Sequence, residues 1–170
     1  PKDIVSGDFY FFDKIDNTVI LAIADCTGHG VAGAFMSMVV SSLLHQIIGQ
    51  KHLVEPAKIL ELLNDGIVEA LKQKESDSHG GMDIALCCID LNTKMLTFAG
   101  ANRPLYYIRN NVADALKPDK LPIGGFRPDE DRVFTQQTLQ IGAVPSPPPP
   151  GDRTCGSVPN TRRSCAGSNP

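Results

Sequence analysis

Two aspartates stand in the N-terminal region where the strand pattern requires apolar side chains. Asp8 lies beside Phe9, and Asp25 directly follows the apolar run 19–24. A two-residue turn at 16–17 would join the two strands. The residue numbers of each directly opposed pair would then add up to the same total as those of the two turn residues. Asp8 and Asp25 have this sum, so the sequence predicts that they face each other across a hairpin.

Opposed side chains in an antiparallel pair have Cβ atoms about 4.5–5.5 Å apart, and like charges at that distance repel. A shared proton, an Arg or Lys, or a divalent cation could relieve this repulsion. Lys14 is the only basic residue between the two aspartates in sequence, so a hard cation with oxygen ligands, Mg²⁺ or Mn²⁺, is the simplest solution. The alternative is that Asp8 points into solvent from an edge strand and that Asp25 ends its strand or caps the next helix.

The loop after Asp25 adds further chemistry. Gly28 and Gly30 bracket His29 and lead into an apolar segment with helical spacing. Glycines let the backbone approach a ligand closely, and a helix N-terminus favours an anion. The sequence therefore predicts a metal, an anion site and a titratable imidazole at one corner. The alternative for His29 is a loop histidine that only forms hydrogen bonds.

The segments SGDFY at 6–10 and DCTGHGVAGAF at 25–35 resemble the SpoIIE-like branch of the PPM superfamily of metal-dependent serine/threonine phosphatases. Weaker similarities follow at 81–86, 98–105 and 121–124. The resemblance covers roughly residues 1–141, in order and without large gaps. It implies an α+β fold, a four-layer αββα sandwich of two antiparallel sheets flanked by helices, incomplete here at the C-terminus.

The resemblance also implies a protein serine/threonine phosphatase that depends on Mn²⁺ or Mg²⁺, with two ions in the complete domain. A metal-activated water would attack phosphorus, without a phosphoenzyme. Asp8 matches the family's first metal aspartate, Asp25 the aspartate that bridges two metals, and the backbone carbonyl of Cys26 the next ligand. His29 corresponds to a general acid, and Asp83 to a ligand of an accessory metal.

Partners follow from the same resemblance. It implies a phosphorylated protein substrate in bacterial signalling, such as an anti-sigma-factor antagonist, and an upstream sensor domain in the full-length protein. A net charge of −3, from 16 basic and 19 acidic residues, excludes a nucleic-acid footprint. Five cysteines without a CxxC pair, and no secretory pattern at the start, predict a reducing, cytoplasmic location.

The periodicity of the apolar residues predicts the strands and helices that must position these site residues. Strands are predicted at 4–12 and 19–24, helices at 31–49 and 56–72, and further strands near 82–90, 94–100, 104–109 and 132–141. Turns are expected at 92–93 and 110–111. Two strands, two helices and then several antiparallel strands are typical of an α+β domain.

The first predicted helix could be a membrane span or a helix packed on a sheet, because residues 26–50 contain no Asp, Glu, Lys or Arg. That length suits a membrane span. Ser37, Ser41 and His45, however, form a polar row beside two apolar rows, 35–39–43–47 and 36–40–44–48. The pattern favours a helix packed on a sheet, without membrane contact.

Composition changes sharply near residue 144. Residues 145–170 contain 14 Pro, Gly or Ser among 26. We therefore predict a partial phosphatase domain at 1–142 and a disordered tail at 143–170, either native or a product of a shifted reading frame. The family's later Thr-Asp-Gly metal segment is missing, which predicts impaired activity. The alternatives are an inactive partner-binding switch on the same fold and a bare cation-binding domain.

Overall fold

The computed structural model describes residues 6–28, 30–50, 52–75, 80–125 and 132–142. His29, the predicted strand start at 4–5 and the predicted tail at 143–170 lie outside the described residues. The described elements follow the chain as β1 (Asp8–Ile15), β2 (Thr18–Cys26), α1 (Gly30–His45, extended by a π-helical turn at Gln46–Gln50), α2 (Pro56–Ala70), β3 (Gly81–Asp90), β4 (Met95–Ala101), β5 (Leu105–Arg109), β6 (Val112–Leu116), β7 (Ile123–Gly124) and β8 (Gln137–Gln140).

Two antiparallel sheets organise the described residues. The larger has six strands in the order β1-β2-β3-β4-β8, with β7 paired to the start of β3, and the smaller consists of β5 and β6. Helices α1 and α2 share one apolar core with the larger sheet, in which Ile20, Leu63 and Leu86 are fully buried. The predicted α+β fold class, with two antiparallel sheets and helices, is confirmed.

The N-terminal hairpin closes as predicted. Its turn is Asp16-Asn17, and Asp16 adopts a positive φ of 50°, a conformation that aspartate tolerates better than most residues. Strand β1 nevertheless continues beyond the predicted end at residue 12. Asp13 and Lys14 have turn-forming character, yet they pair with β2, because the short turn keeps the two strands in register up to its edge.

The C-terminal half differs from the prediction in three places. Strand β8 occupies only Gln137–Gln140 of the predicted 132–141, while β6 and the two-residue β7 were not predicted. The 110–111 turn was a usable signal for β6, because both asparagines adopt positive φ, 51° and 62°, as a two-residue hairpin turn requires. A two-residue strand carries no periodicity, so β7 depends on tertiary pairing alone.

Helix α1 buries one of its two predicted apolar rows, 36–40–44–48, in the core that it shares with the large sheet. The other row is only partly covered, since Phe35 at its start is 59% exposed. The segment Gly30–Gln50 is long and apolar enough, by length and composition, to cross a membrane, with 33% of its most apolar window buried. The buried row packs in the core as the prediction of a helix on a sheet requires, and the predicted lack of membrane contact stays a prediction.

A buried polar network ties α2 to the loop around β7. The side chain of Asn64 accepts a hydrogen bond from the backbone N–H of Gly124 (3.0 Å), and Gln73 accepts one from Gly125 (2.9 Å). Strand β7 pairs with Gly81 at the start of β3. The backbone of Thr27 in turn donates to the Gly81 carbonyl at 2.8 Å. The network therefore connects the helix layer to the loop that follows Asp25.

Replacing Asn64 with Leu is expected to lower the free energy of unfolding by about 1–3 kcal/mol, because the buried N–H of Gly124 would lose its acceptor. Urea unfolding followed by circular dichroism measures the loss. Asn92→Leu is the matched control, since that residue is exposed in a turn. Equal unfolding midpoints for the two variants would contradict the assigned role of Asn64.

Candidate functional site

Three aspartates form a row across neighbouring strands. Asp8 is directly opposed to Asp25, as the hairpin register predicted, and Asp25 is directly opposed to Asp83 on its other side. Ala24 and Cys26, which flank Asp25, are buried in the core. Because side chains alternate along a strand, all three aspartates lie on the face of the sheet opposite the helices. We call Asp8, Asp25 and Asp83 the aspartate row.

The aspartate row is accessible to solvent. Asp8 and Asp25 are exposed, and Asp83 is half-buried. Exposed like charges are partly screened by water and salt. The repulsion within the row is therefore weaker than a buried pair would suffer, and a cation is not the only means of relieving it.

A basic residue from outside the hairpin pairs with the row. Arg103 donates from Nη2 to Oδ2 of Asp25 at 2.7 Å, and Asn102 donates from Nδ2 to Oδ1 of Asp83 at 2.8 Å. Both residues directly follow β4. Sequence reasoning missed their role, although both lie within the family-like segment 98–105. The hairpin alone could not indicate them, because 78 positions separate Arg103 from Asp25.

The turn after β4 holds these two side chains in place. Asn102 adopts a positive φ of 56°, and its backbone N–H donates to the carbonyl of Asp119 at 2.8 Å. The backbone N–H of Arg103 donates to the carbonyl of Ala101 at 2.7 Å. A Cβ on Gly100 would lie only 2.5 Å from the Arg103 carbonyl oxygen. The turn therefore requires glycine at position 100.

Glycines also allow close contact between the start of β1, the loop after β2 and α1. A Cβ on Gly33 would lie 2.8 Å from the carbonyl oxygen of Gly28 and 3.1 Å from the backbone nitrogen of Gly7. Gly28 itself has a φ of 103°, which disfavours other residues. Gly28 and Gly33 thus allow the first turn of α1 to pack closely against the start of β1.

Cys26 has a packing role in this site. Burial raises the pKa of its thiol to about 11, and the neighbouring charges of Asp25 and Asp8 act in the same direction. The thiol is therefore protonated at neutral pH and is a poor nucleophile. Cys26, Cys87 and Cys88 are free thiols, all buried.

The carboxylate oxygens of the aspartate row are the type of ligand that binds a hard divalent cation. Carboxylate oxygens on one accessible face are the ligands that Mg²⁺ and Mn²⁺ prefer. Within the described part of the chain, however, no group of three or more His, Cys, Asp or Glu residues is close enough to hold an ion. Asp25 and Asp83 instead contact Arg103 and Asn102. The metal roles of Asp8, Asp25, Asp83 and the Cys26 carbonyl therefore stay predictions.

A shallow pocket opens beside the aspartate row. Its volume is about 520 Å³. It combines two carboxylates, one guanidinium and an apolar wall, and is lined by Asp8, Phe9, Tyr10, Ile23, Ala24, Asp25 and Arg103. An anion in this pocket could contact one cationic group, and an organic side chain could contact its apolar wall.

Comparison with known proteins adds independent information. The model of the family Stage II sporulation protein E (SpoIIE) matches residues 15–144. The SiaA-PP2C domain of Pseudomonas aeruginosa is 27% identical with a TM-score of 0.73, over 84% of this chain and 54% of that chain. This chain therefore spans about half the length of that relative. No curated protein sequence matches.

Two further solved structures share the fold. The PP2C phosphatase domain of SpoIIE from Bacillus subtilis, solved with a fragment of its regulatory domain, is 21% identical with a TM-score of 0.65, over 82% of this chain and 39% of that one. RsbX in complex with magnesium is 15% identical with a TM-score of 0.59, over 82% of this chain and 63% of that one. At these identities the similarity shows the fold, which is that of PP2C phosphatase domains.

Proposed function

Because the chain belongs to the SpoIIE family, we propose that it hydrolyses phosphoserine or phosphothreonine on a protein substrate in bacterial signalling. The reaction depends on Mn²⁺ or Mg²⁺ and takes place in the cytoplasm. The observation that carries the proposal is the aspartate row, which aligns three carboxylates on one accessible face of the sheet.

The residues present have distinct tasks in this reaction. Asp8 and Asp25 would hold the divalent ions, with the Cys26 carbonyl as a further ligand and Asp83 at an accessory position. Bound ions would lower the pKa of a coordinated water toward neutrality and neutralise phosphoryl oxygens. His29 would donate a proton to the leaving group. The pocket beside the row leaves space for a phosphorylated side chain.

The proposed function also involves a substrate protein and a domain that regulates the phosphatase. We propose a phosphorylated anti-sigma-factor antagonist as the substrate and a sensor domain upstream of the chain. The similarity to SpoIIE, whose phosphatase domain was solved together with a fragment of a regulatory domain, supports the presence of a further domain in the full-length protein. Catalysis by the 170-residue form is expected to be weak, because the family's later metal aspartates are missing from its sequence.

One observation favours a second function, an inactive partner-binding switch on the same fold. Arg103 already neutralises Asp25 through an ion pair at 2.7 Å. A guanidinium in that position offsets part of the negative charge of the row without a metal. The two functions differ in whether Asp25 is needed for cation binding, so the experiment targets that residue.

Titration with Mn²⁺, followed by the electron paramagnetic resonance signal of the free ion, tests the proposed function. The wild-type chain is expected to bind Mn²⁺, and Asp25→Asn to weaken binding at least about tenfold, because the central carboxylate of the row is removed. Asp8→Asn should weaken binding as well. Asp16→Asn is the matched control, since it removes one carboxylate in the hairpin turn at a position where asparagine tolerates the positive φ.

Two outcomes would contradict the proposed function. One is a wild-type chain that binds no Mn²⁺. The other is an Asp25→Asn variant that binds Mn²⁺ as tightly as Asp16→Asn does. Vigorous Mn²⁺-dependent hydrolysis of a phosphoprotein by the wild-type chain would confirm the chemistry but contradict the expected weakness of this form.

A further inference from the structure

We propose that Arg103 binds the phosphoryl group of the substrate, and that Asp25 holds its guanidinium at the site until an anion arrives. This inference rests on the proposed function, because it assigns a role to a residue of the same site. It concerns anion recognition by this chain's own side chains and can be tested without a metal.

The position of Arg103 is the first argument. It is the only basic residue that lines the pocket beside the aspartate row, among the residues that the structure describes. Its side chain is 36% exposed, so the guanidinium is accessible from the pocket. Only Nη2 takes part in the described contact with Asp25. The other guanidinium nitrogens are therefore available to a second acceptor.

The rigidity of its backbone is the second argument. The turn that carries Arg103 is anchored by hydrogen bonds of Asn102 to Asp119 and to Asp83. A binding group on a fixed backbone loses less conformational freedom when it engages a ligand. The turn thus fixes the point on the backbone from which the Arg103 side chain extends, and the contact with Asp25 sets the position of its guanidinium.

The chemistry of the ion pair is the third argument. The planar guanidinium matches phosphate with two parallel N–H donors, a geometry that an ammonium group cannot provide. The side chain of Asp25 is 52% exposed, and exposed ion pairs contribute little to stability. Arg103 can therefore exchange Asp25 for a phosphoryl oxygen at small cost. The negative charge of Asp25, in contrast, opposes anion binding as long as no cation neutralises it.

This competition gives a test with inorganic phosphate and the metal-free full chain, read by calorimetry or by ³¹P line width. Asp25→Asn should bind phosphate about fivefold more tightly than the wild type, because it removes one negative charge and frees the guanidinium. Arg103→Gln should abolish detectable binding in both the wild-type and the Asp25→Asn background. Arg103→Lys should restore part of it, since the charge returns without the planar pair of donors.

Arg109→Gln in the Asp25→Asn background is the matched control. It removes the same charge from β5, where the side chain contacts Gln140 and lies outside the pocket. The inference is overturned if Asp25→Asn binds no phosphate, or if the double variant with Arg103→Gln binds it as tightly as Asp25→Asn alone. Failure of Mn²⁺ binding in the earlier titration would overturn the metal-dependent function but would leave these phosphate results unchanged.

Discussion

The free energy of unfolding is expected to fall by about 3 kcal/mol between pH 8 and pH 10, at about 1 kcal/mol for each of the three buried thiols in the described part of the chain. Burial raises the pKa of Cys26 and Cys87 from 9.0 to about 11 and that of Cys88 to about 12, and the nearby charges of Asp25 and Asp8 reinforce the effect on Cys26. The folded chain thus keeps protons that the unfolded chain releases. This stabilisation is complete below pH 9 and is lost progressively as the pH rises toward 11.

Urea unfolding under reducing conditions at several pH values measures this loss. Cys87→Ala is the informative variant, because its loss between pH 8 and pH 10 should be about one third smaller than that of the wild type. Comparing each protein with itself at two pH values removes any constant destabilisation that the substitution causes. A loss of equal size in both proteins would show that other groups are responsible for the alkaline sensitivity.

Gly100→Val is expected to lower the free energy of unfolding by about 3 kcal/mol and to displace Arg103. Its Cβ would lie 2.5 Å from the Arg103 carbonyl oxygen, 2.6 Å from Cζ of Phe98 and 3.0 Å from Cβ of Pro118. Phe98 is fully buried, so its ring has no free space to move into. The turn that carries Arg103 must therefore shift.

Gly49→Val is the matched control, because no atom beyond the neighbouring residues and the backbone of its own helix lies within 4 Å of a Cβ at that position. Urea unfolding compares the two variants, and phosphate binding in the Asp25→Asn background reports on the position of Arg103. Equal unfolding midpoints for Gly100→Val and Gly49→Val would refute the steric argument. Unchanged phosphate binding by Gly100→Val would show that the turn does not position Arg103.

Rules that relate residues close in sequence were sufficient to predict the hairpin and most of α1. A two-residue turn determines every pair in the hairpin, so the opposition of Asp8 and Asp25 could be predicted by counting residues. Helical periodicity likewise identified two apolar rows on α1, of which the row 36–40–44–48 is the buried one. Both predictions depend on neighbours within one or two elements, where the covalent chain itself limits the geometry.

Which side chains meet at the site depends on contacts between residues that are far apart in the sequence. The sequence motifs indicated the family and the aspartates, and the family match over residues 15–144 agrees with that resemblance. The partners of these aspartates could not be predicted from the motifs, because Arg103 reaches Asp25 only after β3 and β4 have paired beside β2. Asp83 joins the row through the same pairing, since the register of β3 against β2 is set by packing and not by a short turn.

By itself, the sequence determined the class of fold, the register of the first hairpin and the presence of carboxylates suited to a divalent ion. Only the tertiary structure decided that three aspartates share one row and that a guanidinium neutralises the middle one. The physical reason is the range of the interactions. Turn geometry and periodicity act between residues close in sequence, whereas the charge balance of a site depends on side chains that meet only when distant strands assemble.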